Sequence, residues 1–437
     1  MRRILLLFTT LCSAVWGATA QSSSSSDYKP HVVVVGMYKY HPSSRDTVER
    51  SAGARAAEIY DRNHSDGFKM SHRPLVIVTT HDNRLSMAVG GSVSLRPGYD
   101  FEGAVGNTDF VPYDIPTTAT WANRQKLFMS ATTSRLFFKG IAHSRLLGDV
   151  VAYVETDFRG RNYGLHVRHA YVSFKGFLFG RTTSTFCDHE AGPNTIDYEG
   201  PNAYNSGQFN EVIRYSHTFG RHFSLAVAAE TPSVEATYAS EQTASQTQRI
   251  PDFVAYLQYG WGRYQRSHIR VSGLVRTMYY RDLVNADNRR AVGYGVQLSG
   301  NIAFARHFNI CMNGIYGKGI SPYFNDLEGR PLDLVPNPEK SGQMQMPTMW
   351  GWFASLQYNI TPRIFISGGY YQVNVDYANG YSADEGYKRG GYVFANIFYS
   401  LTPNCRIALE YLYGIRRNQN GNQGHANRIQ TMVQYNF

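Results

Sequence analysis

The chain reads as all-β, an antiparallel up-and-down barrel of about 16 strands crossing a membrane. Three observations predict it: apolar and polar residues alternate with period two, the links between strands alternate long and short, and the last strand ends on the aromatic Phe437. Composition points the same way. Of 437 residues 43% are hydrophobic and only 17% charged, while 32 Tyr, 24 Phe and 40 Gly favour many short aromatic-rich strands over a disordered chain. No apolar run of about 18 residues is present, which excludes helices that span a bilayer and leaves strands to do so.

In chain order, residues 1–20 have the pattern of an export leader: Arg2 and Arg3, the apolar run Ile4 to Leu11, and Ala18-Thr19-Ala20 as a small-residue cleavage site before Gln21. Cys12 follows Leu11 inside this leader, which argues against a lipoprotein anchor. Cys187, Cys311 and Cys405 are an odd set without metal spacing and are expected as free thiols among other side chains. Residues 21–84 form a lead-in: the Ser22 to Ser26 linker, the run Val32 to Val35, and a weak helical pattern from Arg45 to Tyr60. A periplasmic tail, a short plug and a segment docked on a barrel rim are all consistent with it.

Residues 85–437 carry the barrel signal. Phe223, Leu225, Val227 and Ala229 alternate with Ser224, Ala226 and Glu230, while Val292, Tyr294, Val296 and Leu298 alternate with Gly293, Gly295, Gln297 and Ser299. A soluble sandwich would show the same alternation, but it has no reason to sort its links by parity. Here the short links Lys175-Gly176, Phe219 to His222, Ile360 to Arg363 and Leu401 to Asn404 are interleaved with long ones. The long ones include Gly103 to Thr133, Thr183 to Gly207, Pro232 to Pro251, Arg281 to Arg290, Lys318 to Met349 and Arg416 to Asn427; Arg159 to Asn162 is the exception. The amphipathic last strand, with Val433, Tyr435 and terminal Phe437 on one face, is similar to the sorting signal that the barrel-assembly machinery reads. An even strand count puts both termini on the periplasmic side of the outer membrane of a Gram-negative-type bacterium.

Family resemblance enters through Ser134-Arg135-Leu136-Phe137-Phe138-Lys139, the run Gly148 to Gly160, Val167-Arg168-His169-Ala170-Tyr171, Gly180 to Asp188, and Asn194 to Pro201. These resemble the DcaP-like outer-membrane porins over roughly residues 85–215, with only strand rhythm and the terminal aromatic beyond. The resemblance implies a homotrimeric 16-stranded channel with an arginine-lined lumen for small anionic solutes such as dicarboxylates. The coiled coil of the founding members is missing from residues 21–84.

The residues support an anion-accepting lumen independently. Parity puts Arg135, Lys139, Arg168, Arg214, Arg270 and Arg276 on the polar face, and a charge facing hydrocarbon would cost about 2–4 kcal/mol. Arg181 is expected at the mouth of the link 183–207, the link that the resembled porins fold into the barrel as a constriction. Its carboxylates Asp188, Glu190, Asp197 and Glu199 are expected either to oppose the arginines across the passage or to tether the link to the wall. The arginines could equally pair with Glu155, Asp157 and Glu230 as a structural ladder. The consecutive Asp188-His189-Glu190 is weak evidence for a metal, and no metal, cofactor or catalytic residue is assigned. HExxH, GxSxG and P-loop spacings are missing, so an enzyme is not expected; His166, His169 and His217 read as lumen or rim histidines. The alternatives are an adhesin or structural barrel acting through its long external links and, behind it, a barrel hydrolase with a Ser/His pair on the wall. Expected partners are membrane lipid, the assembly machinery and small anions, with no nucleic acid.

Overall fold

The computed structural model describes residues 76–80, 84–106, 108–118, 120–201, 208–262, 267–304, 307–383 and 385–437, together with the backbone of 31–35. The expected leader and the helical pattern at 45–60 lie outside the described residues.

Two short strands, β1 (His31–Val35) and β2 (Val76–Thr80), precede β3 (Leu85–Glu102). The second wall position is built in two pieces, β4 (Arg124–Ser130) and β5 (Arg135–Ser144), which pair with the far and near halves of β3. Then follow β6 (Gly148–Asp157), β7 (His166–Phe174), β8 (Phe177–Thr183), β9 (Phe209–Phe219), β10 (Phe223–Glu230), the short β11 (Thr243–Ser245) and β12 (Asp252–Trp261). The long hairpin β13 (Ser267–Asp282) and β14 (Asp287–Phe304) leads to β15 (Phe308–Lys318), and β16 (Val335–Pro336) and β17 (Met344–Gln345) form a small ribbon within a link. The wall ends with β18 (Thr348–Asn359), β19 (Ile364–Asp376), β20 (Tyr387–Ser400), β21 (Cys405–Asn418) and β22 (Gln423–Asn436). Neighbours pair antiparallel, and β22 pairs back onto β3, giving a closed barrel of 16 strands. Among the described residues no helix is long and apolar enough to cross a membrane.

Alternation becomes sidedness. On β14, Val292, Val296 and Leu298 are half exposed on the outside, whereas Gln297 and Ser299 are buried inside at 2% and 1% exposure. Closure depends on one glycine: Gly91 exchanges two backbone hydrogen bonds with Phe437, at 2.8 and 3.0 Å, and a Cβ there would lie 2.3 Å from the Arg135 carbonyl. Val433 and Tyr435 point outward, half exposed. Where β22 stops, β2 continues along the same edge of β3, Val76 standing opposite Val89, and β1 lies parallel to β2. Ile77 is thereby buried against Ala88, Ile141 and Val151.

One end of the barrel carries the short turns. The tightest is Lys175-Gly176, both at positive φ, with Gly176 at 85° and no room for a Cβ beside the Ser216 carbonyl. The other end carries the long links. Two of these are shorter than the sequence suggested, at 283–286 and 419–422 instead of Arg281 to Arg290 and Arg416 to Asn427. The charges of Arg281, Arg289, Arg290, Arg416 and Arg417 read as loop, but they sit on strands that run past the apolar belt, where both faces are polar.

The described residues of the links 103–123, 184–201 and 319–347 fold inward. Val105, Phe110, Ile115, Phe186, Ile320 and Phe324 are fully buried in one apolar cluster with inward wall residues such as Tyr371, Phe394 and Leu412. The loop end of the lumen is therefore narrowed by this packing.

Candidate functional site

The lumen wall has a basic and an amide sector. From β3 to β13 the inward side chains include Arg96, Arg135, Lys139, Arg168, Arg214, Arg270 and Arg276; from β14 to β20 they include Gln297, Ser299, Asn301, Asn313, Gln357, Ser367 and Asn396.

From Ser184 to Pro201 the link after β8 runs around the inside of this wall in strand order. Thr185 N donates to Glu230 Oε1 on β10 at 2.7 Å. Asp188 accepts hydrogen bonds from His268 on β13 at 2.9 Å and Ser299 on β14 at 2.5 Å, with Arg270 at 3.6 Å. The Glu190 carbonyl accepts from Asn301 at 2.9 Å. Asn194 donates to Gln357 on β18 at 2.9 Å, and its carbonyl accepts from Asn396 on β20 at 2.9 Å. The amides of Ile196 and Asp197 then donate to Glu410 on β21, at 3.0 and 2.8 Å. Asp197 accepts from Phe110 N at 3.1 Å and the Tyr392 hydroxyl at 3.2 Å, and Glu199 from Arg159 at 2.9 Å.

Back at the basic sector, the Tyr198 ring lies among four guanidinium groups, with Arg159 4.2 Å, Arg168 5.4 Å, Arg96 5.5 Å and Arg135 5.6 Å from its centroid. Its hydroxyl donates to Asp157 at 3.2 Å. Three of the four expected loop carboxylates, Asp188, Asp197 and Glu199, thus bind wall or link groups directly, as tethers do.

Burial and neighbours set these carboxyls apart. Burial alone would raise Asp188, but Arg270, His268 and Ser299 hold it well below the usual range. Asp197 goes the other way: burial, then Asp109 and Glu410, push it well above. Glu199 is also raised, by burial and Asp109 against the pull of Arg159.

The arginines divide by partner. Arg168 donates to Glu155 at 2.7 Å and Asp157 at 3.4 Å, and Arg135 stands 3.6 Å from Glu155. Arg276, 1% exposed, lies 3.3 Å from both Asp252 and Asp333 and donates to the Gly319 carbonyl at 3.1 Å. Arg270 donates to Gln258 at 2.8 Å, beside Asp188. Arg214 has uncharged acceptors, the Thr185 hydroxyl at 2.8 Å and the Thr183 carbonyl at 2.6 Å. Lys139 is buried on the inward face of β5.

Arg181 corrects the sequence expectation. It shares parity with the half-exposed Phe177 and Phe179, stands opposite Glu211 on the outer wall and pairs with it at 2.9 Å. The link leaves β8 only after Thr183, so its mouth is formed by Thr183 and Thr185. A β-bulge opposite Glu155 and Thr156 lets Arg168 and His169 both reach inward, which strict alternation forbids.

Arg96, Arg159, Arg406 and Arg428 escaped the sequence reading. Arg428 and Arg96 are legible in hindsight by parity, with Ile429 and Leu95 outward, whereas Arg159 sits in the link that broke the length rule. Arg428 is fully buried with Asp100, and Arg406 lies on the inward face near Phe365 and Phe398, its Nε 3.4 Å from the Ser400 hydroxyl.

The histidines are placed as follows. His166 lies 3.1 Å from Asp157, His169 lies 2.9 Å from the Thr182 hydroxyl, and His217 stands on the outer wall between Tyr215 and Phe219. Among the described residues no group of three His, Cys, Asp or Glu could hold a metal ion. Cys187 and Cys311 are buried free thiols, and Cys405 is a half-buried one.

Comparison with known proteins fits this geometry. Residues 76–258 match the sequence profile of the DcaP outer membrane protein family. Among solved structures, the outer membrane channel DcaP of Acinetobacter baumannii is similar at TM-score 0.69, with 21% identity over 81% of this chain and 97% of that one. An anion-selective porin from Comamonas acidovorans is similar at TM-score 0.52, with 11% identity over 81% of this chain and all of that one. OmpT of Vibrio cholerae follows at 0.51, with 14% identity over 81% of this chain and 98% of that one. No curated protein matches. At these identities the structural likeness is one of fold, and the sequence match runs from β2 into β12, so it includes Arg96, Arg135, Lys139, Arg168 and Arg214 but neither Arg270 nor Arg276. This chain is a β-barrel of the porin fold, and over residues 76–258 its sequence is similar to the DcaP outer membrane protein family.

Proposed function

We propose that the barrel is a diffusion porin preferring small anionic solutes of the dicarboxylate kind, which pass along the basic sector. The observation that supports this reading is Arg214: it faces inward, and among the described residues its guanidinium donates to uncharged acceptors, with Glu230 acting on it without a hydrogen bond. Arg406 and its hydroxyl partner repeat the arrangement on β21. A fixed guanidinium in a low-dielectric passage concentrates carboxylates and offers them planar paired donors. Three of the four loop carboxylates that could oppose this field, Asp188, Asp197 and Glu199, are bonded to wall or link groups. Loop-end packing narrows the passage and so strengthens the influence of each fixed charge. The barrel sits as a homotrimer with termini and short turns in the periplasm, delivered by the leader and by the Val433, Tyr435 and Phe437 signal; β3 begins and β22 ends at the turn end, in keeping with that orientation.

The test is planar-bilayer recording of the purified protein under a salt gradient, with chloride and then succinate as the anion. A reversal potential of anion-selective sign is expected. A cation-selective sign would overturn the preference, and no conductance at all would favour the adhesin or structural reading.

A further inference from the structure

Elsewhere on the outer rim Arg181 is paired with Glu211 at 2.9 Å and His425 with Glu102 at 3.1 Å, while Asp376 accepts from the Trp350 indole at 3.0 Å. The β13–β14 hairpin is different. Its outward face is an apolar stripe of half-exposed Val271, Val275, Val292 and Val296, and the stripe ends abruptly in cations. Arg290 lies one outward position beyond Val292, about 7 Å farther along the strand, which is the depth of lipid headgroups.

Arg290 stands opposite Tyr279, and Arg281 donates to Asn288 at 3.0 Å. From the link 231–251, Arg249 lies 5.4 Å from the centre of the Tyr279 ring. That link is fixed in place, because Gln248 donates to the Tyr279 carbonyl at 3.0 Å and accepts from its amide at 2.8 Å. No carboxylate occupies an outward position on β12, β13, β14 or β15. Asp282, at the hairpin tip, has inward parity and is taken by Arg289 at 2.7 Å.

We propose that Arg249, Arg281 and Arg290 around Tyr279 form a binding site for a phosphate-bearing lipid headgroup in the leaflet at the loop end. Guanidinium groups match phosphate oxygens in pairs, and the apolar stripe directly below takes the acyl chains. A dissolved anion would have no use for that stripe, and its continuity with the cations selects a lipid.

The test is native mass spectrometry and lipid titration of the protein in mild detergent, using a doubly phosphorylated glycolipid and the same lipid with its phosphates removed. The phosphorylated form should bind, and the variant Arg249→Gln/Arg281→Gln/Arg290→Gln should bind it on the order of 100-fold more weakly. Arg181→Gln, whose arginine is already paired, should leave binding unchanged. Equal binding of the two lipids by the wild type overturns the proposal without any variant. So does an unaffected triple variant, competition by inorganic phosphate at the same concentration as lipid, or a changed oligomer mass in the triple variant, which would mark a subunit contact.

Discussion

The basic and amide sectors of the lumen share one strand pattern and differ in how their polar groups are satisfied. In the basic sector Arg168 and Arg276, and beside it Arg428 on β22, are buried with carboxylates, two of these arginines at 1% exposure or less. In the amide sector Gln297 and Asn313 are as deeply buried, yet neither their side-chain oxygens nor their nitrogens have a partner among the described residues. A buried ion must be paired to be tolerated, whereas a buried neutral amide without a partner costs far less. The partner therefore distinguishes two kinds of arginine in this lumen: those held by carboxylates brace the wall, and those held by hydroxyls and carbonyls are the ones assigned the proposed action on solutes.

The largest effect follows for Arg276→Gln. It strands Asp252 and Asp333 and releases the link 319–347, at a cost of about 3–5 kcal/mol. Heat-modifiability on unboiled gels should then be lost at a clearly lower temperature. An unchanged transition would remove the distinction between structural and free arginines.

Arg168→Gln and Arg214→Gln sharpen the same distinction. The first leaves Glu155 and Asp157 without their shared guanidinium and should destabilise the barrel by a few kcal/mol. The second removes a cation whose partners are neutral, so the fold should persist while the anion-to-cation permeability ratio falls by about 2-fold. Selectivity lost in the Arg168 variant and kept in the Arg214 variant would reverse the assignment.

How much of this was legible in the sequence follows from what local pattern encodes. Strand parity placed Arg214, Arg270 and Arg276 inward because alternation along a half-lipid wall is a one-dimensional signal. Arg181 was misplaced because its neighbours Gly180 and Thr182 give no apolar contrast, so the face had to be guessed. The bulge that turns Arg168 and His169 to the same side leaves no mark in residue type. Nor could the sequence show Arg276 with Asp333 or Tyr198 among its arginines, since those contacts join residues far apart in the chain.

Asp197 ties the comparison to pH. Its carboxyl is raised well above the ordinary value, first by burial and then by Asp109 and Glu410. The folded protein therefore holds this proton more tightly than the unfolded chain. Stability from this group is greatest below the ordinary carboxylate range, about pH 4, and declines as pH rises from there through the raised value. Asp197→Asn should flatten that decline in thermal unfolding measured in detergent, and a wild type and variant with parallel pH profiles would show that Asp197 stays ionised.

The smallest effect is expected for Asn313→Ala in the amide sector. Asn313 is 4% exposed, and neither polar atom of its side chain has a partner among the described residues, so truncation breaks no bond in the wall. Removing an unpartnered amide relieves its desolvation penalty, while the space it leaves costs packing; the two oppose each other, and the net change should stay within about 0.5 kcal/mol. Because the side chain is neutral, the reversal potential should also stay at its wild-type value. The informative contrast is with Arg214→Gln, which exchanges a charge for an amide at similar polarity on the facing sector. If Asn313→Ala shifts the reversal potential as far as Arg214→Gln does, selectivity arises from passage width and not from the fixed cations, and the two sectors are functionally one wall.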